Sequence, residues 1–324
     1  MNPHIQTFLV TLPILSVFVS QPLQATTLVY EGFNYGDSDG AIHGQAVGGG
    51  AIGLNGSYTT KTDASGHATA TYRSTGLSFT GLPTSGGALE MSVTASLDNT
   101  KEYALTHVPF TATATGDIYQ SVLVNISANS ISGGYGDSLI RNQDTANMQS
   151  NGNGAMSVYA NKPSNDTPAV GYDSSTSNTG LGLTLDTTYI LINKFTNVGD
   201  AGGGKASLWI MDNDSYSDWM SLGNGLEANL NTYADTSASR SSSNQIDFDT
   251  SRSLRISVGD FYVDYNSTSS NYNGAGELTV IYDELRYGTT LESITVIPEP
   301  STFSLLLLSG LGFFTMLRMR RKTS

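Results

Sequence analysis

Residues 89–97, LEMSVTASL, alternate apolar and polar side chains over their whole length. Successive side chains of a β-strand point to opposite faces of a sheet, so one face of this stretch is apolar and the other is polar. The stretch therefore predicts a half-buried strand. Further segments with strand-like patterns are predicted as strands at 122–126, 189–195, 206–211, 254–265 and 277–287.

The segments between these strands are polar and contain no convincing amphipathic helix from residue 27 onward. Glycine-rich residues 44–56 and 199–204 and serine-rich residues 236–244 are predicted as long loops. Short strands joined by polar turns favour an antiparallel sandwich or barrel. The sequence has no fixed repeat of about 20 to 50 residues, which argues against a propeller or β-helix.

Composition limits the partners and the chemistry. The chain has 324 residues, no cysteine and a net charge of −13. Four of the 15 basic residues and one of the 28 acidic residues follow residue 297, so residues 26–297 carry 11 basic and 27 acidic residues, a net charge of −16. Such a charge repels nucleic acid, which is therefore not an expected partner. The absence of cysteine excludes disulfides and thiolate metal sites.

Five short segments carry a resemblance to a known fold. They are LVYEGFNY (28–35), IYQSVL (118–123), YILINK (189–194), SLWI (207–210) and IYDELRYG (281–288). They resemble strands of bacterial concanavalin A-like, or laminin G-like, jelly rolls. The resemblance implies an all-β antiparallel sandwich over residues 26–296, and calcium is the one cofactor that it brings into consideration.

The last of these segments contains adjacent carboxylates, Asp283 and Glu284. Strict alternation would place Asp283 with Leu285 and Tyr287 on one face, and Glu284 with Arg286 on the other, close enough for an ion pair. Two carboxylates on opposite faces cannot flank one glycosidic bond. We therefore expect no catalytic residues and a protein that is not an enzyme.

Two weaker patterns suggest binding sites. Asp212, Asp214 and Asp218 bring carboxylates to a predicted loop and are a candidate Ca²⁺ site, although a turn with solvated acids explains them as well. Tyr262, Tyr265 and Tyr272 are a candidate glycan patch, because a tyrosine ring offers an apolar face and a polar edge. Equally, these tyrosines could have no special role. The histidines, including His43 and His107, are predicted to be ordinary polar residues.

The N-terminal 25 residues predict a secretory signal peptide. Residues 8–19 are apolar but too short to cross a membrane, and Ala25 offers a small residue for cleavage. The expected basic residues before the apolar stretch are missing.

The C-terminal residues 297–324 have three parts in order. Pro298, Glu299 and Pro300 form a rigid, extended motif. Residues 303–317 are uncharged and would form a helix of about 22 Å, short for a hydrocarbon layer of about 30 Å. The basic residues Arg318, Arg320, Arg321 and Lys322 follow, and such residues stay on the cytoplasmic side.

This arrangement resembles the PEP-CTERM sorting signal of Gram-negative bacteria. The resemblance implies export, transient retention in the inner membrane, and cutting by an exosortase-type enzyme. A permanent single-span anchor is the alternative. The resemblance to this sorting signal and the fold resemblance together predict a surface or matrix protein that associates with extracellular polysaccharide without catalysis. A polysaccharide-degrading hydrolase or lyase and a purely structural matrix component remain as alternatives.

Overall fold

The computed structural model describes residues 26–36, 38–48, 50–62, 66–82, 84, 86–95, 103–129, 138–144, 156–160, 169–172, 175–178, 183–259 and 276–295. The predicted signal peptide, the sorting tail with its apolar helix, and the patch at Tyr262, Tyr265 and Tyr272 lie outside these residues. Within them, no helix combines the length and the apolar character that a membrane crossing requires.

The described residues form two antiparallel sheets. The first eight strands are β1 (Thr27–Glu31), β2 (Gly40–Ala41), β3 (Thr59–Thr62), β4 (Ala68–Arg73), β5 (Ala88–Ala95), β6 (Tyr103–Pro109), β7 (Gly116–Asn129) and β8 (Ser138–Asp144). They are followed by β9 (Met156–Ala160), β10 (Ala169–Tyr172), β11 (Ser175–Asn178), β12 (Thr188–Val198), β13 (Gly204–Met211), β14 (Thr236–Ser242), β15 (Arg252–Gly259) and β16 (Gly276–Gly288). Each predicted strand is present over its described residues, and residues 96–97 and 260–265 of the predictions lie outside them.

Among the described residues, one sheet has nine strands and the other has seven. The nine-stranded sheet has the order β14-β13-β12-β7-β16-β5-β4-β2, and β1 pairs with β16 beside β5. The seven-stranded sheet has the order β11-β10-β9-β8-β15-β6-β3. The two sheets pack face to face over a shared core, which confirms the predicted all-β antiparallel sandwich.

The core between the sheets is built by the alternation that the sequence shows. Val122, Val124 and Ile126 of β7 point into it, whereas Leu123 lies on the opposite face. From the seven-stranded sheet, β6 and β15 contribute Ala104, Val108, Leu254, Ile256 and Val258. Burial of apolar surface between the two sheets is the main stabilising contribution, at about 25 cal/mol per Å².

A second layer covers the outer face of the nine-stranded sheet. It contains the helices α1 (Asn213–Ser221), α2 (Leu230–Tyr233) and α3 (Glu292–Thr295) and the 3₁₀ turn Glu227–Asn229. Trp219 and Tyr216 of α1 are buried here with Trp209 of β13. The sequence did not predict these helices. Asp212, expected in a loop, instead caps α1, because its carboxylate accepts a hydrogen bond from the amide of Ser215 at 2.9 Å.

The prediction of strict alternation in β16 is wrong after Asp283. Glu284 has a positive φ of 51°, and the pairing with β7 shifts register between Asp283 and Arg286. This β-bulge adds one residue. As a result Tyr282 lies in the same core as Leu285 and Tyr287.

The prediction of a loop at residues 236–244 is also wrong. Strand β14 pairs with β13 along Thr236–Ser242 and ends the nine-stranded sheet. Its side chains are largely half-buried or exposed, with Ala238 packed against the core. Since an edge strand needs few apolar residues, its composition resembles that of a loop.

Candidate functional site

A groove opens where one edge of each sheet meets the other. It lies between β2 and β4 of the nine-stranded sheet and β3 of the seven-stranded sheet, and its volume is about 580 Å³. Its polar lining consists of Asp39, His43, Thr60, Thr62, Thr69 and Thr71. We call this feature the edge groove. Ala41, Ala68 and Ala70 also line it, so its surface is partly polar and partly apolar.

The two ionisable side chains of the edge groove have defined roles. His43 Nδ1 accepts a hydrogen bond from the amide of Thr60 at 3.0 Å, so the other nitrogen of a neutral ring carries the proton and can donate. Asp39 accepts hydrogen bonds from the amide and hydroxyl of Ser74 at 2.7 and 2.8 Å. The hydrogen bond from the backbone amide of Ser74, followed by the one from its hydroxyl, lowers the pKa of Asp39. The carboxylate of Asp39 therefore remains a hydrogen-bond acceptor.

A second group of polar residues lies on the outward face of the seven-stranded sheet. Ala104, Val108, Leu254, Ile256 and Val258 point into the core, so the alternate positions of β6 and β15 point away from it. His107 of β6 lies directly opposite Arg255 of β15. Both side chains are buried, and Ser253 and Ser257 flank Arg255 on the same face.

His107 is the unusual member of this group. Its side chain is 9% exposed, and neither ring nitrogen has a hydrogen-bond partner in the structure. Burial, followed by the charge of Arg255, lowers the pKa of His107. A neutral imidazole ring has one hydrogen-bond donor and one acceptor. Leaving both without a partner in a buried position costs free energy.

Strand β3 extends this face toward the edge groove. Thr59 pairs with His107 and Lys61 pairs with Leu105, so both residues share the outward face. Lys61 forms no ion pair with a described residue. We call Lys61, His107 and Arg255 the basic face. Thr60 and Thr62, which alternate with Thr59 and Lys61, line the edge groove, so a single strand separates the two features.

A third polar cluster is buried beside the bulge of β16. Glu31 accepts hydrogen bonds from the amide of Phe33 and the hydroxyls of Tyr35 and Tyr58, at 2.7 to 3.0 Å. The predicted ion pair of Glu284 and Arg286 is confirmed at 2.5 Å.

Asp283 in the same cluster accepts from the amides of Leu77 and Glu284, at 2.8 and 2.7 Å. Burial, followed by the charge of Glu284, raises the pKa of Asp283 to about 8. Asp283, Glu284 and Glu31 are each no more than 1% exposed, so this cluster holds the strands together rather than facing solvent.

The candidate calcium ligands are not gathered around one point. Asp212 caps α1, Asp214 lies in its first turn, and Asp218 is exposed on the same helix. Within the part of the chain that the structure describes, no group of three or more acidic, histidine or cysteine side chains could hold a metal ion. Ala25, Tyr262, Tyr265, Tyr272 and the residues of the sorting motif lie outside the described ranges.

Sequence reasoning missed the edge groove and the basic face. His43 and His107 were expected to be ordinary polar residues, and no local motif marks either of them. Lys61, His107 and Arg255 lie far apart in the sequence, and only the strand order β15-β6-β3 brings them together. The strand predicted at 254–265 includes Arg255, but a strand prediction alone does not identify the neighbours of that residue on other strands.

Several solved structures are similar to this one. One is the cellulose-induced protein Cip1, at 11% identity over 69% of this chain and 86% of that chain, with a TM-score of 0.36. The lectin UEA-II complexed with galactose is similar at 9% identity over 71% of this chain and 92% of that chain, with a TM-score of 0.35. The carbohydrate recognition domain of Emp47p is similar at 6% identity over 78% and 95% of the two chains, with a TM-score of 0.38.

No curated protein matches the chain. A family model does match its C-terminal residues 296–322, and that model describes the PEP-CTERM protein-sorting motif. The match includes Pro298, Glu299 and Pro300 together with the basic residues from Arg318 to Lys322. The chain therefore carries a PEP-CTERM sorting motif, as its sequence predicts.

Proposed function

We propose that this protein is an exported surface or extracellular-matrix protein whose β-sandwich binds polysaccharide without catalysis. The sorting motif implies export. The proposal further includes a stage tethered in the inner membrane, removal of the tail by an exosortase-type enzyme, and release to the cell surface or medium. Extracellular polysaccharide is then the polymer that the sandwich meets.

The observation that supports polysaccharide binding is the edge groove. Its volume of about 580 Å³ is within the range of ligand sites. Its hydroxyls, the free ring nitrogen of His43 and the carboxylate of Asp39 offer donors and acceptors to sugar hydroxyls. The groove is open along two strand edges, so a polymer could enter and leave without a chain end.

Affinity electrophoresis of the exported protein through gels that contain defined polysaccharides tests the proposal. We expect retardation by at least one polysaccharide and no release of reducing ends or unsaturated sugars from it. Release of such products would instead support a hydrolase or lyase. Unretarded migration in every gel, with and without Ca²⁺, would support a purely structural matrix component.

A further inference from the structure

The exposed apolar side chains of the sandwich are concentrated in one place. Among the described residues, five large apolar side chains are exposed, and three of them lie at the end of α1 and in the turn after it. These three are Met220, Leu222 and Leu226, which are 37%, 66% and 52% exposed. The other two are separate from them, since Ile52 lies between β2 and β3 and Leu185 lies before β12. We call Met220, Leu222 and Leu226 the apolar patch.

The turn after α1 brings the members of the apolar patch together. The amide of Leu226 donates to the carbonyl of Gly223 at 3.2 Å, so the turn folds back toward Leu222 at the end of the helix. A side chain at Gly225 would come within 3.3 Å of Met220 Sδ, so Met220 lies over the same turn. The three side chains therefore form one surface.

The chain leaves the domain beside this helix. The hydroxyl of Tyr216 in α1 donates to the carbonyl of Thr295, the last described residue, at 3.2 Å. A helix rises about 1.5 Å per residue, so Leu222 lies about 9 Å along α1 from Tyr216. Residues 296–302 span at most about 25 Å before the apolar residues 303–317 begin. The apolar patch is thus closer to the exit point than the reach of this linker.

The charges around the apolar patch are of one sign. Residues 212–235 contain no Lys or Arg, and their acidic residues are Asp212, Asp214, Asp218, Glu227 and Asp235. Glu227 forms an ion pair with Lys194 of β12 at 2.7 Å, whereas Asp218 is exposed two residues before Met220. Exposed carboxylates are repelled by anionic headgroups, so this surface suits lipid without net charge.

We propose that the apolar patch rests in the headgroup region of the inner membrane while the C-terminal tail is inserted there. This inference rests on the tethered stage of the proposed function and adds an orientation of the domain to it. A lipid surface is the partner because the inserted tail would hold the exit side of the domain against it. Three apolar side chains suffice, because the tether makes their contact with lipid intramolecular.

This orientation would leave the polysaccharide site free. Helix α1 packs against β12 and β13, whereas the edge groove lies at β2 and β4, at the other end of the nine-stranded sheet. A domain that rests on the apolar patch therefore presents the edge groove away from the patch. Loss of the tail would remove the tether, and the weak contact of the patch with lipid would end.

Labelling at single cysteines tests the inference, because the chain has no cysteine of its own. Leu222→Cys places a fluorophore in the apolar patch, and Leu185→Cys places one at an exposed leucine outside it. The protein that retains its tail is reconstituted into phosphatidylcholine vesicles that contain a nitroxide-labelled lipid. We expect the nitroxide to remove most of the emission at position 222 and little at position 185, because interfacial side chains penetrate about 5 to 10 Å.

Two further measurements identify the cause of quenching. Leu226→Ser should reduce the quenching at position 222, whereas Ile52→Ser, the matched control, should leave it unchanged. Replacing part of the phosphatidylcholine by phosphatidylglycerol should also reduce it, because anionic headgroups repel the acidic residues around the patch.

The outcomes separate this inference from the stage on which it rests. Equal quenching at positions 222 and 185, in protein that floats with the vesicles, overturns the contact of the patch with lipid while the tether stands. Shielding of the label at position 222 without any vesicles also overturns it, since the tail itself would then cover the patch. Protein that does not float with vesicles overturns the tethered stage and this inference with it, while polysaccharide binding is measured independently.

Discussion

Asp283 Oδ2 accepts a hydrogen bond from the backbone amide of Leu77 at 2.8 Å, and 206 residues of sequence separate the two. The bond joins the bulge of β16 to the segment that packs on the outer face of the nine-stranded sheet. The other carboxylate oxygen accepts from the amide of Glu284 at 2.7 Å, at the point where the partner of β16 changes from β5 to β1. One side chain therefore stabilises the bulge and anchors the covering segment.

The pKa of Asp283 predicts how stability changes with pH. Its value of about 8, raised from 3.8, means that the folded state binds more protons than the unfolded state between about pH 4 and pH 8. The contribution of this group to the free energy of unfolding therefore decreases as the pH rises through that range. We expect Asp283→Asn to flatten the pH dependence of the free energy of unfolding. The substitution should also lower that free energy by about 1 kcal/mol, because it removes one hydrogen bond from a backbone amide.

Urea denaturation at several pH values measures both effects. An Asn side chain cannot ionise, so the difference in stability between variant and wild type should shrink toward pH 8. Glu277→Gln is the matched control, because Glu277 lies on the same strand near its exposed end. Parallel pH profiles for wild type and Asp283→Asn would contradict this account of the buried carboxyl.

The burial of Trp219 predicts that the helices on the outer face of the nine-stranded sheet contribute strongly to stability. Its indole is fully buried, stacks edge-on against Tyr216 with ring centroids 5.6 Å apart, and donates to the carbonyl of Leu226 at 3.0 Å. We expect Trp219→Ala to lower the free energy of unfolding by about 3 to 5 kcal/mol, as for other large buried aromatics. Met220→Ala, at an exposed position of the same helix, should change it by less than about 0.5 kcal/mol. Similar losses in the two variants would show that the layer contributes little.

Sequence predicted the sandwich because its strands obey local rules. Residues 89–97 show the required alternation, and β5 forms there as Ala88–Ala95. Two errors have physical causes. The bulge at Glu284 depends on a change of strand partner that the sequence of β16 does not encode locally, and β14 needs few apolar residues because it is an edge strand.

The site was harder to predict than the fold. His107 and Arg255 become neighbours only through the register of β6 with β15, and the edge groove requires strands from both sheets. Neither feature has a local motif. The sorting motif shows the opposite case, since its three parts follow one another in the sequence and were recognised without a structure.

If polysaccharide binds in the edge groove, removing a hydroxyl from its lining should weaken binding without changing the stability of the fold. Thr62→Val keeps side-chain shape and strand propensity while it removes one hydroxyl from the lining of the groove. We expect polysaccharide binding to weaken about threefold to fivefold, because one neutral hydrogen bond contributes about 1 kcal/mol or less. The melting temperature should stay within a few degrees of the wild-type value.

The matched control is Thr94→Val, an exposed position on strand β5 that does not line the groove. Its affinity for polysaccharide should equal that of the wild type. Unchanged binding by the groove variant, with its fold intact, would exclude the edge groove as the binding site.

The sorting motif predicts the size of the exported protein. Cleavage near Pro298-Glu299-Pro300 would remove the apolar residues 303–317 and the basic end, so the intact mass should match a chain that lacks them. We expect Glu299→Ala to leave the full-length C-terminus in the membrane fraction. Glu292→Ala, an exposed change on the adjacent helix α3, should be processed normally. A wild-type protein that keeps its C-terminus in the membrane would instead indicate a permanent anchor.

The hydrogen bonds of Glu31 predict that its buried carboxyl stabilises the turn at Phe33. Phe33 has a positive φ of 47°, unusual for a residue with a side chain, and its amide donates to Glu31 Oε1 at 2.7 Å. Tyr58 donates to the other oxygen at 3.0 Å from within the core. Glu31→Ala would leave these donors buried without acceptors, so we expect a loss of at least about 3 kcal/mol.

A double-mutant cycle with Tyr58→Phe measures how much of that loss belongs to the phenol. Tyr58→Phe alone should cost about 1 kcal/mol, since it removes one bond and leaves the ring packed. In the Glu31→Ala background the same change should be nearly neutral, because the hydroxyl has already lost its acceptor. Additive losses would mean that Glu31 and Tyr58 act independently, and the carboxyl would then not be the acceptor that holds this turn.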